Sequence, residues 1–330
     1  MSAEAAVLPT GRGGLRLALS RLRRNPAAWG SGIVLLAILF ACFPGASLWV
    51  HVACGHGPND QNIQGYVHDG GHRIPVVGLD GTPIGPGLRA CYLLGADSNG
   101  RDLMVRLLYG GRVSLEVGIS SAVVCVGMAL VLALLAGYIG GATDAVISRG
   151  LDLLWAFPVY LLAVALATSL AVGGLAVGPL HVASTSLFLP IFVIAVVYIP
   201  YVARPIRGQV LGLRRTEFVD AAVAIGAGPL RIMLRELLPN VASIALVLMT
   251  LIIANNILTE AALSFLGVGV PVLTPSWGNI IQQGYSSIVT APALTVAPGI
   301  AIMLTVVSLN VLGDALRDAL DPHARIRIRG

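Results

Sequence analysis

Long apolar runs alternate along this chain with short polar connections rich in Arg. The runs cover residues 26 to 50, 113 to 139, 151 to 172, 187 to 203, 241 to 263 and 293 to 312. At about 1.5 Å per residue, roughly 20 apolar residues cross a hydrocarbon layer about 30 Å thick. The pattern therefore predicts an all-α integral membrane protein with six transmembrane helices. Composition agrees: the 330 residues are 56% hydrophobic and 11% charged, with a mean hydropathy of +0.84. Such values exclude a soluble globule of this length.

All 21 basic residues are Arg, and the net charge is +5. In a soluble protein this balance would suggest nucleic acid. Here the Arg residues flank apolar runs, where they set topology, and no nucleic-acid-binding motif is present. Arg12, Arg16, Arg21, Arg23 and Arg24 precede the first run. That run is too long for a signal peptide core, and His51 stands where a lipidation site at Cys54 would want an apolar residue. Arg204, Arg207, Arg214, Arg215, Arg231 and Arg235 make the connection between the fourth and fifth runs the most basic short one. The positive-inside rule then places the segment 1–25, this connection and the tail 314–330 in the cytoplasm. That tail carries Asp314, Arg317, Asp318, Asp321, Arg325, Arg327 and Arg329. The five Arg from Arg73 to Arg112 fall outside, which a long translocated loop tolerates.

Residues 51–92 are rich in Gly and Pro and carry Cys54, Cys91, His51, His56, His68 and His72. Facing outward, Cys54 and Cys91 are a candidate disulfide. A metal site from Cys54, His56, His68 and His72 matches no standard zinc spacing, and a solvated loop with free thiols is the third reading. No metal is assigned. Cys42 and Cys125 lie in apolar runs and read as packing residues. Asp97, Ser98, Asn99 and Gly100 form a turn, and Leu103, Arg106, Leu107 and Tyr109 to Gly111 predict a short amphipathic helix in the interface, ending where Arg112 meets the membrane. Asp144 and Arg149 fall in a short inner turn, and Pro158 is a predicted kink in the third run. Residues 267–290 hold no acidic or basic side chain and turn around Pro271, Pro275 and Trp277, which reads as a re-entrant segment.

Between the fourth and fifth runs, Glu217 to Ile225 predicts a short helix with Glu217 and Asp220 on one face near its N-terminus. Gly226, Ala227 and Gly228 break it, and Pro229 opens a second arm through Arg231 and Arg235 to Leu238. The result is an elbow. It is either an amphipathic connector or the place where a soluble partner pushes. Asn255, Asn256 and Glu260 are polar groups in the fifth run, candidates for a pathway or gate or else hydrogen-bonding groups between helices. There is no phosphate-binding loop of the G-x-x-x-x-G-K-[ST] type and no nucleophile arrangement, so no catalytic residue is assigned.

Asp220-Ala221-Ala222, Gly226, and Leu238-Pro239 are spaced as in the EAA loop of ABC importer permeases, which this elbow resembles, with Asp220 for the usual Glu and Glu236 for the usual Ile. The stretches RRNPAAWGSGIVLLAIL, LGADSNGRDLMVRLLYGGRVSLEVG, DLLWAFP, ARPIRGQVL, ILTEAALSFLGVGV, PSWGNII and LNVLGDALRDALDP occur in order from residue 21 to 322. They are similar to the second permease subunit of dipeptide, oligopeptide and nickel importers, with Ala96 for the usual Thr. The 51–92 insert is unlike that pattern. The resemblance implies a type I ABC importer permease in a bacterial inner membrane: a first helix 26–50, an outer region 51–112, a permease core 113–313 and a cytoplasmic coupling loop 214–240. It further implies a second homologous permease, two ATP-binding subunits and an external substrate-binding protein as partners. ATP and Mg would be bound by those subunits, leaving this chain non-catalytic and without a cofactor. Glu217, Asp220, Ala221, Ala222 and Gly226 would couple to the ATPase, and Asp97, Arg101 and Asp102 are candidates for outer docking. Small peptides are the implied substrate, with nickel chelates, opines or oligosaccharides as alternatives. An ATPase-independent secondary transporter is the reading if the elbow binds nothing.

Overall fold

Asn25 starts the first helix. Its Oδ1 accepts from the N–H groups of Ala27 at 3.0 Å and Ala28 at 3.4 Å, and Pro26 takes the first helical position, where a missing N–H costs nothing. The computed structural model describes residues 22, 25–69, 71–173, 175–177, 180–183 and 185–320. The N-terminal Arg residues and Asp321, Arg325, Arg327 and Arg329 lie outside them. Helix α1 (Pro26–Cys54) passes Pro44 without breaking because the backbone widens into a π turn over Ala41–Gly45. It ends at Gly55 in the left-handed region, φ 68°.

The insert after it is more ordered than the sequence suggests. Strand β1 (Tyr66–Asp69) pairs antiparallel with β2 (His72–Pro75), Tyr66 opposite Pro75. Val76, Ile84, Tyr92 and Ala96 form a small core beneath them. Asp102 then caps α2 (Leu103–Ile139), its Oδ1 accepting from the Val105 N–H at 3.1 Å. The expected interfacial helix at 103–111 and the span from Val113 are therefore one continuous helix. Leu103, Val105, Arg106 and Leu108 are buried, so this turn packs on protein and does not lie on a membrane surface.

The third run departs further. Residues 141–155, expected to begin as an inner turn with Asp144 and Arg149, form α3 (Gly141–Trp155), and α4 (Val159–Gly173) follows at 93° to it. Pro158 is the reason. Proline disfavours helical backbone in the residue before it and donates no hydrogen bond, so the chain breaks there and is not merely kinked. Strands β3 (Leu175–Val177) and β4 (Leu180–Val182) form a small hairpin before α5 (Phe188–Leu213).

The elbow opens with α6 (Glu217–Ala224). Its second arm does not stop at Pro239 but runs on into the fifth span as α7 (Pro229–Phe265). A π turn over Ile232–Leu237 makes this feasible: the Leu238 N–H bonds to the Met233 carbonyl, and the helix widens just before the proline that cannot donate. The re-entrant segment carries α8 (Trp277–Tyr285), and α9 (Ala293–Leu320) extends the sixth span into the region expected as tail. Among the described residues five helices are long and apolar enough to cross a membrane, and the bent α3–α4 pair makes six if it is one span.

Helix α2 is the centre of the bundle, packed on α5 and α7, while α9 joins α7 to α1 and α8 sits between α2, α7 and α9. Small residues set these distances. A Cβ on Gly118 would collide with the Ile257 side chain, so α2 and α7 touch at van der Waals range. We expect Gly118→Val to force them apart at a cost of about 1–3 kcal/mol. Thermal unfolding of the detergent-extracted protein should show a midpoint several degrees lower; an unchanged midpoint would refute this packing.

Candidate functional site

The elbow presents two different faces. Val219 and Ala222 on α6 are buried and join the main apolar cluster with Ile232, Met233 and Leu237 of α7 and Val210 of α5. On the other side Phe218, Val223, Ile225, Leu230 and Leu234 are exposed, Ile225 at 78% and Leu230 at 65%. Glu217, Asp220 and Ala221 are exposed beside them, as are Arg214, Arg215, Arg231 and Arg235. A cleft of about 460 Å³ lined by Leu211, Arg214, Arg215 and Asp220 opens next to α6. Gly226 makes the turn with φ +82°, and nothing stands within 4 Å of where its Cβ would be. Only backbone conformation demands glycine there. Of the alanines expected to allow a partner's close approach, Ala221 is exposed, but Ala222 faces inward and serves contact with the second arm.

Arg204 and Arg207 do not join that exposed set. Arg207 forms two hydrogen bonds of 2.6 Å to the Asp144 carboxylate, and Arg204 pairs with Asp152 at 2.5 Å while its guanidinium lies 4.5 Å from the Trp155 ring centroid. They brace α3 against α5.

Asp97, Arg101 and Asp102, the expected docking group, are 4–7% exposed. Arg101 Nε donates to Asp97 Oδ2 at 2.6 Å, and Arg101 and Arg106 both donate to Gln283 Oε1, at 2.9 and 2.8 Å. Arg106 also reaches the Pro58 carbonyl at 3.3 Å. The group ties the insert, the start of α2 and α8 together, and its side chains offer little surface to a docking partner. Gln283 and Arg106 were missed as members. No local signal marks either one, since Gln283 lies some 180 positions from Arg101.

Cys54 and Cys91 are both free thiols. Together with an Asp102 carboxylate oxygen their sulfurs lie within 4.8 Å of one another, whereas none of the histidines named for a metal site joins the group. Tyr92, next to Cys91, has φ 60° and donates its N–H to Asp102 Oδ2 at 2.5 Å. Burial pushes its phenol above the ordinary range.

Within the fifth span the three gate candidates separate. Asn256 is buried, its amide 2.8 Å from the Ser121 hydroxyl of α2. Glu260 is also fully buried: Ser264 Oγ donates to its Oε1 at 2.7 Å, with the hydroxyls of Ser114 and Ser276 alongside. Both are closed off from every surface of the chain, so neither lines an open pathway. Asn255 is exposed, its Nδ2 donating to the Leu251 carbonyl at 2.9 Å. Glu260→Gln keeps acceptor capacity for the same hydroxyls and should leave uptake and protein level near wild type. Glu260→Leu would strand these hydroxyls at about 1–3 kcal/mol each and lower the amount of folded protein recovered from membranes. Uptake lost in the Gln variant at normal protein level would show instead that the charge is functional.

Residues 129–326, including the whole elbow, match the family described as binding-protein-dependent transport system inner membrane component. The chain is 40% identical over 246 residues to a glutathione transport system permease protein of Escherichia coli, covering 74% of this chain and 76% of that protein. It is 38% identical over 247 residues to a glutathione transport system permease protein of Pectobacterium atrosepticum, covering 75% and 78%. To an oligopeptide transport system permease protein of Haemophilus influenzae it is 35% identical over 240 residues, covering 73% of each chain. A multi-pass bundle with this elbow and these relatives belongs to the binding-protein-dependent transport system inner membrane component family, as the permease subunit of an ABC importer.

Proposed function

We propose that this permease imports small peptides, pairs with a second homologous permease, and is driven by two ATP-binding subunits that engage the elbow. An external binding protein would deliver the substrate. ATP and Mg would be held by the ATP-binding subunits, and this chain would carry out no catalysis itself. The N- and C-termini and the elbow would face the cytoplasm, and the 51–102 region the outside, as the Arg distribution favours.

The observation that carries the reading is the two-faced α6. Its outer face combines exposed apolar side chains with Glu217, Asp220 and nearby Arg, a composition suited to a groove on a soluble partner. Its inner face, Val219 and Ala222, is continuous with the core of α5 and α7. Force applied at α6 would therefore pass to two spans as a rigid-body displacement. Peptide substrates are supported by relatives named for glutathione and oligopeptide transport. Asn255, the exposed member of the polar trio, is the residue proposed to face the pathway or the second permease.

Ile225 is the side chain to test, because its exposure means that its loss disturbs nothing internal. Ile225→Glu should leave the permease in the membrane at wild-type level while its ATP-binding partners no longer co-purify and uptake of labelled di- and tripeptides falls at least about tenfold, corresponding to a loss of about 1.4 kcal/mol or more of docking energy. Unchanged co-purification and uptake would remove Ile225 from the interface. A chain that purifies alone and transports without nucleotide would replace the importer proposal with the secondary-transporter reading.

At Gly226 the prediction concerns backbone. Gly226→Val puts a β-branched residue at φ +82°, a conformation costing roughly 1–3 kcal/mol. ATP hydrolysis by the purified complex should lose its dependence on the substrate-loaded binding protein, with assembly retained. Normal substrate-stimulated hydrolysis would show that the turn's shape does not matter to coupling.

A further inference from the structure

The two outer cysteines sit on segments far apart in sequence that the fold lays side by side. Cys54 ends α1, and Cys91 lies in the loop that leads to Asp102 and the start of α2. Each thiol points at the backbone just before the other: Cys54 Sγ donates to the Ala90 carbonyl at 3.3 Å, and Cys91 Sγ donates to the Ala53 carbonyl at 3.4 Å. This reciprocal arrangement places the two strands of chain in register, with the sulfurs within 4.8 Å. Asp102 fixes it from below. Its Oδ2 lies 3.6 Å from Cys54 Sγ, the alternative acceptor for that thiol, and accepts from the Tyr92 N–H, while its Oδ1 caps α2. Tyr92, next to Cys91, is held in the left-handed region, a strained state for a side chain of that size.

We propose that Cys54 and Cys91 form a disulfide that clasps the outer end of α1 to the loop capping α2. A metal ion is the weaker occupant. Only three candidate ligands converge among the described residues, and both oxygens of Asp102 already accept hydrogen bonds from backbone. The step breaks two S–H bonds and forms one S–S bond. Two electrons and two protons pass to a disulfide of a thiol oxidoreductase in the outer compartment, which becomes its dithiol. The clasp has a structural purpose visible in the packing. Helix α1 is largely exposed on this chain, and it meets the bundle mainly along α9. A covalent bond at its outer end fixes its position relative to α2, which the inner cluster around Cys42 and Leu115 fixes only at mid-span.

The inference rests on the outward placement of this region, so the test separates the two. Protein taken from its native membrane is denatured and its free thiols counted by alkylation with a maleimide polymer, with and without prior reduction. Two alkylated thiols, those of Cys42 and Cys125, are expected without reduction and four after it. Cys54→Ser should raise the unreduced count to three, because Cys91 loses its partner. Peptide mass spectrometry of the unreduced protein should find the Cys54 and Cys91 peptides joined. Four thiols without reduction would overturn the proposal, as would zinc retained at about one atom per chain and lost in Cys91→Ser. A membrane-impermeant maleimide applied to reduced cells then locates the failure. Labelling from outside would leave the topology standing and remove only the clasp, whereas labelling solely in inverted vesicles would remove both. The fastening role has its own readout: the thermal midpoint of the extracted native protein should fall on reduction, and that of Cys54→Ser/Cys91→Ser should not respond. A native midpoint indifferent to reductant would overturn it.

Discussion

Hydrocarbon offers no hydrogen bonds, and this single constraint governs most of what is unusual in the chain. Pro44 leaves a carbonyl without its regular helical donor, and there the helix widens into a π turn and does not break. Polar side chains obey the same requirement. Glu260 and Asn256 are tolerated in α7 because α2 brings Ser114 and Ser121 to them, the segment leading into α8 brings Ser276, and the next turn of α7 itself supplies Ser264. At the membrane boundaries the same demand is met by ion pairs: Asp97 with Arg101 at one end, Asp144 with Arg207 at the other. The charge-bearing groups are held between elements, so they also decide which elements move together.

That grouping bears directly on coupling. Arg204 and Arg207 join α3 to α5, and the Val219–Ala222 face joins α6 to α5 and α7. A load on the elbow cannot bend α6 alone, because its inner side is part of the bundle's principal core and protein interiors resist local compression. It must displace α5 and α7 together, carrying α3 with them. The break of 93° at Pro158 turns α3 away from the line of α4, and α3 meets α5 through Asp144 and Asp152. The outer end is stiffened differently, through Gln283, Arg101 and Arg106, which tie the insert and α8 to the start of α2.

How much of this was readable in the residues depended on range. The apolar runs, the cap-like Asn25, the glycine turn at Gly226 and Pro229 at the head of the second arm are local signals, and the structure places helices accordingly. Contiguity was not readable. Gly110-Gly111-Arg112 looks like a boundary in sequence, but the glycines sit there because α1 and α8 approach closely, and the helix continues through them. Orientation was hidden too. Asp97, Arg101 and Asp102 are charged residues in a loop, and nothing in their spacing says that Gln283, some 180 positions away, closes over them. For Asn255 and Asn256, adjacent residues on one helix, only the packing of α2 tells which is buried. Consecutive helical residues point about 100° apart, so a pair in a span divides between faces without either being marked.

Asn255 gives that division its meaning. It lies on a stripe of α7 with Leu248, Leu251, Leu258 and Ala262, positions that recur every three or four residues and are only partly covered by the rest of the chain. Its own Nδ2 is satisfied by the turn below, and the exposed amide is placed to meet a donor from outside. A lipid tail cannot supply a donor, and an uncovered amide in mid-span is costly. The stripe should therefore meet either water in a pathway or a polar group on a second subunit. Either would suit the proposed pairing with a second permease. Because α7 is also the helix into which the elbow's second arm runs without interruption, Asn255 and the surface proposed for the ATPase are parts of one continuous rod. A rotation of that rod imposed at Leu230 would turn the face that carries Asn255.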